Sequence, residues 1–314
     1  MGTWHKKTTD VAKGQWKGIL SEIGIPPAML TGKHCACPLC GGEDRFRFDN
    51  SEGRGTWICN ACGAGDGMGL AMKFAGKTYP EMAAHIDKLL GNKKFAPDQI
   101  KPDMSEEQRK AKLREMALLT RKIMPGDLVD RYLHSRGLGD TGYPKALRCA
   151  MQLPDGEGAV RPAMVATVQD LDGMNVTLHR TFLRPDGHAK AEMECPRKLM
   201  PGPLPKGSAV RLGEFYGGTL GIAEGIETAM SAAMLFRVPV WAALNAGNMA
   251  HWLPPSNCED VAIFGDNDRN FAGHSAAYQL AHRLASRGIN VTVSFPYAEG
   301  MDFNDQLLTK KTAA

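Results

Sequence analysis

Cys37-Pro38-Leu39-Cys40 and Cys59-Asn60-Ala61-Cys62 place two C-x-x-C pairs 18 residues apart near the start of the chain. That spacing suits two knuckles that aim four thiolates at one tetrahedral Zn²⁺. The intervening length allows a β-hairpin. Within it, Arg45-Phe46-Arg47-Phe48 alternates, so a strand puts both arginines on one face and both phenylalanines on the other. The arginines are candidates for nucleic-acid contact. The phenylalanines either fill a small core or stack on bases. His34 and Cys35 lie just upstream and could replace a ligand, but Cys37 has the better spacing. A disulfide or redox reading is disfavoured. The first residues carry no apolar signal segment, a cytoplasmic location is expected, and reducing compartments keep thiols free. Redox motifs also come as a single C-x-x-C. Cys149, Cys195 and Cys258 are isolated.

With 314 residues the chain has room for two or three domains. A net charge of +4 is too mild to identify a nucleic-acid binder. No apolar run reaches membrane-spanning length, so no membrane partner is expected. The expected organisation is a zinc-ribbon domain over 1–92, a linker over 93–110, a basic subdomain over 111–212 and a parallel-sheet domain over 213–314.

Ser105 to Met124 reads as a charged helix, and 127–211 as short strands and turns. Asp170-Leu171-Asp172-Gly173 marks a hairpin between two β-rich runs. Arg180, Arg184, Lys190, Arg197, Lys198, Lys206 and Arg211 accumulate in the same region, and their clustering points to phosphate binding.

The last hundred or so residues alternate strands and helices. Strands are expected at 218–223, 238–244, 261–265 and 289–295, with helices at 226–236 and 272–287. That alternation implies a parallel sheet with right-handed crossovers, with function at the carboxyl ends of the strands. Glu224 follows the first strand, Asp266 and Asp268 follow the third, and Asp302 and Asp305 come near the end. Such oxygen donors suit Mg²⁺ or Mn²⁺, ions that neutralise a triphosphate, activate a 3′-hydroxyl and stabilise leaving pyrophosphate.

The Glu-Gly strand, the Asp-Asn-Asp strand and their crossover resemble the Toprim domain of primases, topoisomerases and certain nucleases. The stretches 37–48 and 55–67 resemble the zinc ribbon of phage and plasmid primases. The order of ribbon, basic middle and Toprim resembles that of DnaG-like primases. The fold implied is multidomain α/β: a β zinc ribbon, a mixed α+β middle and a Rossmann-like Toprim sheet.

The resemblance implies Glu224 as general base or metal-positioning residue. Asp266 and Asp268 would be ligands of catalytic Mg²⁺ or Mn²⁺, and Asp302 a further ligand or supporting group. It implies nucleotide or template contacts for Arg45, Arg47, Arg180, Lys190, Arg197, Lys198 and Arg211. The expected partners are single-stranded DNA and ribonucleoside triphosphates. Because no G-x-x-x-x-G-K-[ST] loop occurs in the sequence, a separate helicase in trans is expected as well. The expected activity is primer synthesis in replication of a phage, plasmid or other mobile element. A Toprim nuclease and a catalytically silent DNA-binding accessory protein are the alternatives. A topoisomerase fragment fits less well, because little room is left for a tyrosine-bearing domain.

Overall fold

A computed structural model describes residues 7–98, 104–139, 142–193, 195–202 and 204–313. The chain forms two compact units, Met1–Ser105 and Glu106–Ala314. In the first, α1 (Thr8–Ala12) and α2 (Trp16–Ile23) precede a four-stranded antiparallel ribbon of β1 (Cys35–Cys37), β2 (Gly41–Phe48), β3 (Trp57–Cys59) and β4 (Gly63–Gly65), in chain order. Then come α3 (Gly67–Ala75) and α4 (Tyr79–Asn92).

Alternation in β2 resolves the two readings of its phenylalanines. Phe46 and Phe48 are fully buried with Trp57, Trp16 and Ile19, so they form core and are closed to bases. Asp66 caps α3 by accepting from Gly69 N at 2.8 Å. Glu81 in the first turn of α4 accepts from Thr78 N at 2.8 Å, as a capping box requires.

The second unit opens with α5 (Glu106–Leu118) and α6 (Leu128–Ser135). Strands and turns were expected across α6. Asp127 instead caps a helix there, accepting from Val129 N and Asp130 N, and Val129, Tyr132 and Leu133 are buried. An antiparallel sheet follows, made of β5 (Leu147–Pro154), β6 (Val160–Gln169), β7 (Asn175–Phe182) and β8 (Arg197–Leu199). The expected hairpin turn joins β6 to β7, with Asp170 Oδ1 accepting from Met174 N at 2.9 Å.

Thereafter strands and helices alternate: β9 (Thr219–Ala223), α7 (Ile226–Phe236), β10 (Val240–Ala242), α8 (Ala246–His251), β11 (Asp260–Phe264), α9 (Ala272–Ala285), β12 (Asn290–Ser294) and α10 (Phe303–Ala313). The four strands are parallel, in the order β10-β9-β11-β12. β10 is shorter than the expected 238–244, and α8 was not anticipated. Leu220, Ile222 and Ile263 face α8 and α9. Ala223, Val240 and Phe264 share a core with Ala229 of α7, Phe303 of α10, and Met164 and Val168 of the antiparallel sheet. A sheet covered on both faces explains why its strands are continuously apolar.

The two sheets are also stitched through the backbone. Ala209 exchanges hydrogen bonds with Gln169, and Val210 exchanges them with Ala242. The antiparallel sheet is thereby fixed beside the parallel sheet. Among the described residues, no helix is long and apolar enough to cross a membrane.

Candidate metal and nucleotide site

The zinc ribbon brings the sulfur atoms of Cys37, Cys40, Cys59 and Cys62 within 4.8 Å of one another. The Cys40–Cys59 and Cys37–Cys62 separations are 3.7 and 4.0 Å. Four thiolates about 2.3 Å from one zinc ion have tetrahedral edges of about 3.8 Å. Leu39 N and Cys62 N donate to the sulfurs of Cys37 and Cys59, each at 3.4 Å. Burial, followed by the charge of Cys37, pushes the Cys59 thiol up to about 11, and Cys62 is pushed up too. At Cys40, burial works upward, but hydrogen bonds from Cys62, Cys59, Cys37 and Arg45 outweigh it and lower the pKa. Thiols crowded this way ionise together only around a cation, and the donor set fits Zn²⁺. Cys35 lies outside the quartet, 3.9 Å from the Met29 carbonyl. Arg47 pairs with Asp49 at 2.5 Å, and both side chains keep over a third of their surface exposed.

At the other end of the chain, the charges of Glu224, Asp302 and Asp268 reach Asp266 at the carboxyl edge of the parallel sheet. Among the described residues, though, only the cysteine quartet already has three or more ligand atoms within reach of one ion. Asp266 follows β11 and presents a buried Oδ1 that has no hydrogen-bond partner. Burial first, then the charges of Glu224, Asp302 and Asp268, push its carboxyl up to about 8, partly offset by Arg197. Asp302 is also raised, chiefly by burial.

The loop after β11 is held in place by its neighbours. Asn267 N donates to Met301 O at 3.0 Å, and Asn267 Nδ2 to Pro296 O at 3.0 Å. Asp268 Oδ2 accepts from Gly273 N at 3.3 Å. Gly273 leaves room for that loop, since a Cβ there would sit 2.4 Å from the Asp266 carbonyl oxygen. Asp302 Oδ1 accepts from Asp305 N at 2.8 Å, so it caps α10 as well as facing the cluster. A buried, unpartnered carboxylate oxygen among three other carboxylates fits a hard divalent cation.

The predicted basic residues divide. Arg180 is buried and donates to the carbonyls of Pro154 and Leu199. Lys198 donates to Asp155 O and pairs with Glu157 at 2.6 Å. Arg211 donates to the carbonyls of Asp170 and Leu171 and stacks on Trp241, 4.6 Å from the ring centre. These three are engaged in holding turns and strands. Lys190 and Arg197 instead act on buried carboxylates: Lys190 Nζ lies 3.2 Å from Glu227 Oε1, and Arg197 is felt at both Asp266 and Glu227.

Glu227 escaped the sequence reading. It is buried on the first turn of α7, one turn beyond Glu224, and accepts a hydrogen bond from Tyr132 Oη as well as pairing with Lys190. Burial opposes its charge, but Lys190 and the tyrosine hydroxyl outweigh it and hold its carboxyl down to about 2. His179 is fully buried nearby and kept neutral, its pKa lowered to about 3 by burial and then by Arg197. Glu227→Ala leaves a lysine and a tyrosine hydroxyl without their acceptor and costs about 3 kcal/mol of stability. Glu227→Gln retains an acceptor and costs less. Urea unfolding of both variants checks the ranking, and an equal cost for the two would contradict it.

Residues 32–68 match the zinc-binding domain of primase-helicase, 219–313 the Toprim domain, and 107–212 a domain of unknown function (DUF7146). The Aquifex aeolicus primase (zinc-binding and RNA polymerase domains) is a similar solved structure. It is 17% identical, with 97% of this chain and 83% of that one covered and a TM-score of 0.43. The primase fragment of the bacteriophage T7 primase-helicase protein is 16% identical over 90% of this chain and 96% of that one, with a TM-score of 0.42. A DNA primase domain from Pseudomonas aeruginosa is 14% identical over 64% and 75%, with a TM-score of 0.43. This chain thus joins a zinc-binding domain of the primase-helicase type and a Toprim domain in one polypeptide.

Proposed function

We propose that the chain is a DNA primase that joins ribonucleotides into short primers on single-stranded DNA, in replication of a phage, plasmid or other mobile element. The observation that carries this reading is the unpartnered Asp266 carboxylate beside Glu224, Asp268 and Asp302, in a chain that also bears a primase-type ribbon. Asp266 and Asp268, with Asp302 in support, would hold Mg²⁺ or Mn²⁺. An ion held there would neutralise the triphosphate and favour departure of pyrophosphate. Glu224 takes the proton of the attacking 3′-hydroxyl or orients the ligands that do so. Lys190 and Arg197 receive the triphosphate, and Glu227 and Tyr132 fix where the lysine ammonium sits. The ribbon, through Arg45 and Arg47, contacts the template. A helicase acting in trans supplies the single strand, and the protein works in the cytoplasm.

The test incubates the protein with single-stranded DNA, labelled ATP and GTP, and Mg²⁺ or Mn²⁺. Template-dependent short RNA, absent with Asp266→Ala, is the expected result. Cleaved DNA without synthesis would replace this reading with a nuclease. Neither product would leave a DNA-binding accessory protein.

A further inference from the structure

Next to the loop that carries Asp266 and Asp268, Phe271, His274, Phe295 and Tyr278 form an unbroken series of ring contacts. Phe271 meets His274 edge-on at 5.4 Å, His274 stacks on Phe295 at 4.1 Å, and Tyr278 leans on Phe295 at 5.6 Å. His274 and Tyr278 lie one turn apart on α9 and Phe271 is the residue just before it, while Phe295 directly follows β12, the edge strand of the parallel sheet. Phe271 is 67% exposed, Tyr278 57%, and Tyr297, two residues after Phe295, 64%.

Phe295 packs against the core and, like His274, is only half-buried, while the rings at the two ends, Phe271 and Tyr278, stand in solvent. Phe271 also holds a left-handed backbone, φ 57°, which a bulky side chain adopts at a cost. Its ring gains little burial in return. His274 keeps a buried Nδ1 with no hydrogen-bond partner, held by ring contacts on both sides.

The ridge is continuous with the metal ligands. Phe271 N donates to Asp268 O at 3.0 Å, and Asn267 Nδ2 reaches Pro296 O, between Phe295 and Tyr297. Phe271 sits just before α9, and Tyr278 is the seventh residue of that helix, a helical rise of about 10 Å. One nucleobase is too short for that, whereas successive bases of a strand match it.

Building on the proposed primase reading, we propose that this ridge is a stacking platform for consecutive bases of single-stranded DNA template, holding the strand beside the catalytic carboxylates. Face-on stacking accepts any base, so the platform grips the template without selecting sequence, and selection is left to other parts of the chain.

The test uses the full zinc-loaded chain and an oligo(dT) strand carrying one 2-aminopurine, titrated without nucleotides or Mg²⁺. Phe271→Ala and Tyr278→Ala should each raise Kd about tenfold and reduce quenching of the probe. Phe271→Trp should stay within about twofold of the parent. The slope of log Kd against log salt should not change, because phosphate contacts are untouched. Phe271→Gly relieves the backbone, so it should bind as weakly as Phe271→Ala while melting no lower than the parent. Parent-like affinity in a Phe271→Ala, Tyr278→Ala double variant overturns the proposal. So does a changed oligomeric state with unchanged affinity, or weakened binding of ATP with the strand unaffected. Because binding is read without catalysis, the two readings fail separately. Stacking in a protein that makes no RNA removes the polymerase and leaves the platform; RNA synthesis with neutral ridge variants does the reverse.

Discussion

Asp266→Asn is expected to lower ribonucleotide joining at least about a thousandfold while leaving the metal-free fold no less stable. The two halves of that expectation share one cause. The Asp266 carboxyl is held up to about 8, first by burial and then by the charges of Glu224, Asp302 and Asp268. In the unfolded chain the same group titrates at about 4. Its folded pKa is raised, so its stabilising contribution is complete below about pH 4 and is lost as pH rises through about 8. Asparagine carries no charge and escapes that loss. Without Mg²⁺, the melting temperature of the variant minus that of the parent should therefore be small near pH 4, grow across the interval and level off above about pH 8. Adding Mg²⁺ should raise the parent and hardly affect the variant, closing the gap, because only the parent gains a strong ligand set. Calorimetry from pH 4 to 9 with and without Mg²⁺ reads this directly. A parent whose stability is flat across that range, or a variant that still joins nucleotides at the parent rate, contradicts the assignment of Asp266.

Features carried by local spacing could be read from the sequence. The two C-x-x-C pairs meet as expected, and α7 spans the expected Ile226–Phe236. The hairpin at Asp170–Gly173 also forms where its turn residues indicated. What escaped depends on partners distant in sequence. Glu227 looks like an ordinary acidic residue in a helical first turn, where the helix dipole alone would justify it. Its partners, Tyr132 and Lys190, lie 95 and 37 residues earlier. The basic residues show the same limit. Sequence counts their charges, but whether Arg180 faces a phosphate or the Pro154 carbonyl depends on tertiary packing. Helix α6 was obscured because Pro125 and Gly126, just before its cap, read as loop punctuation.

Replacing Cys59 with serine should strip zinc from the protein, unfold the ribbon and reduce template-dependent initiation at least about tenfold, with the second unit still folded. The ribbon cannot stand on hydrogen bonds alone: β1, β3 and β4 are three residues each, and β2 has eight. Strands that short hold together only when something else closes them. Zinc supplies that closure, since a structural site contributes about 10 kcal/mol or more to folding. Phe46, Phe48 and Trp57 pack directly behind the cysteine quartet on Trp16, Ile19 and Leu70, so metal loss also loosens the helices around them. Two measurements separate the outcomes. Zinc released on thiol modification should fall from one equivalent to none, and amide exchange should accelerate in β2 and β3 while β9 and β11 keep the parent rate. The second unit has its own cores, built on both faces of the parallel sheet. Uniform acceleration across both units would contradict that independence. Full template-dependent initiation by a zinc-free protein would remove the ribbon from template reading, and with it the roles given to Arg45 and Arg47.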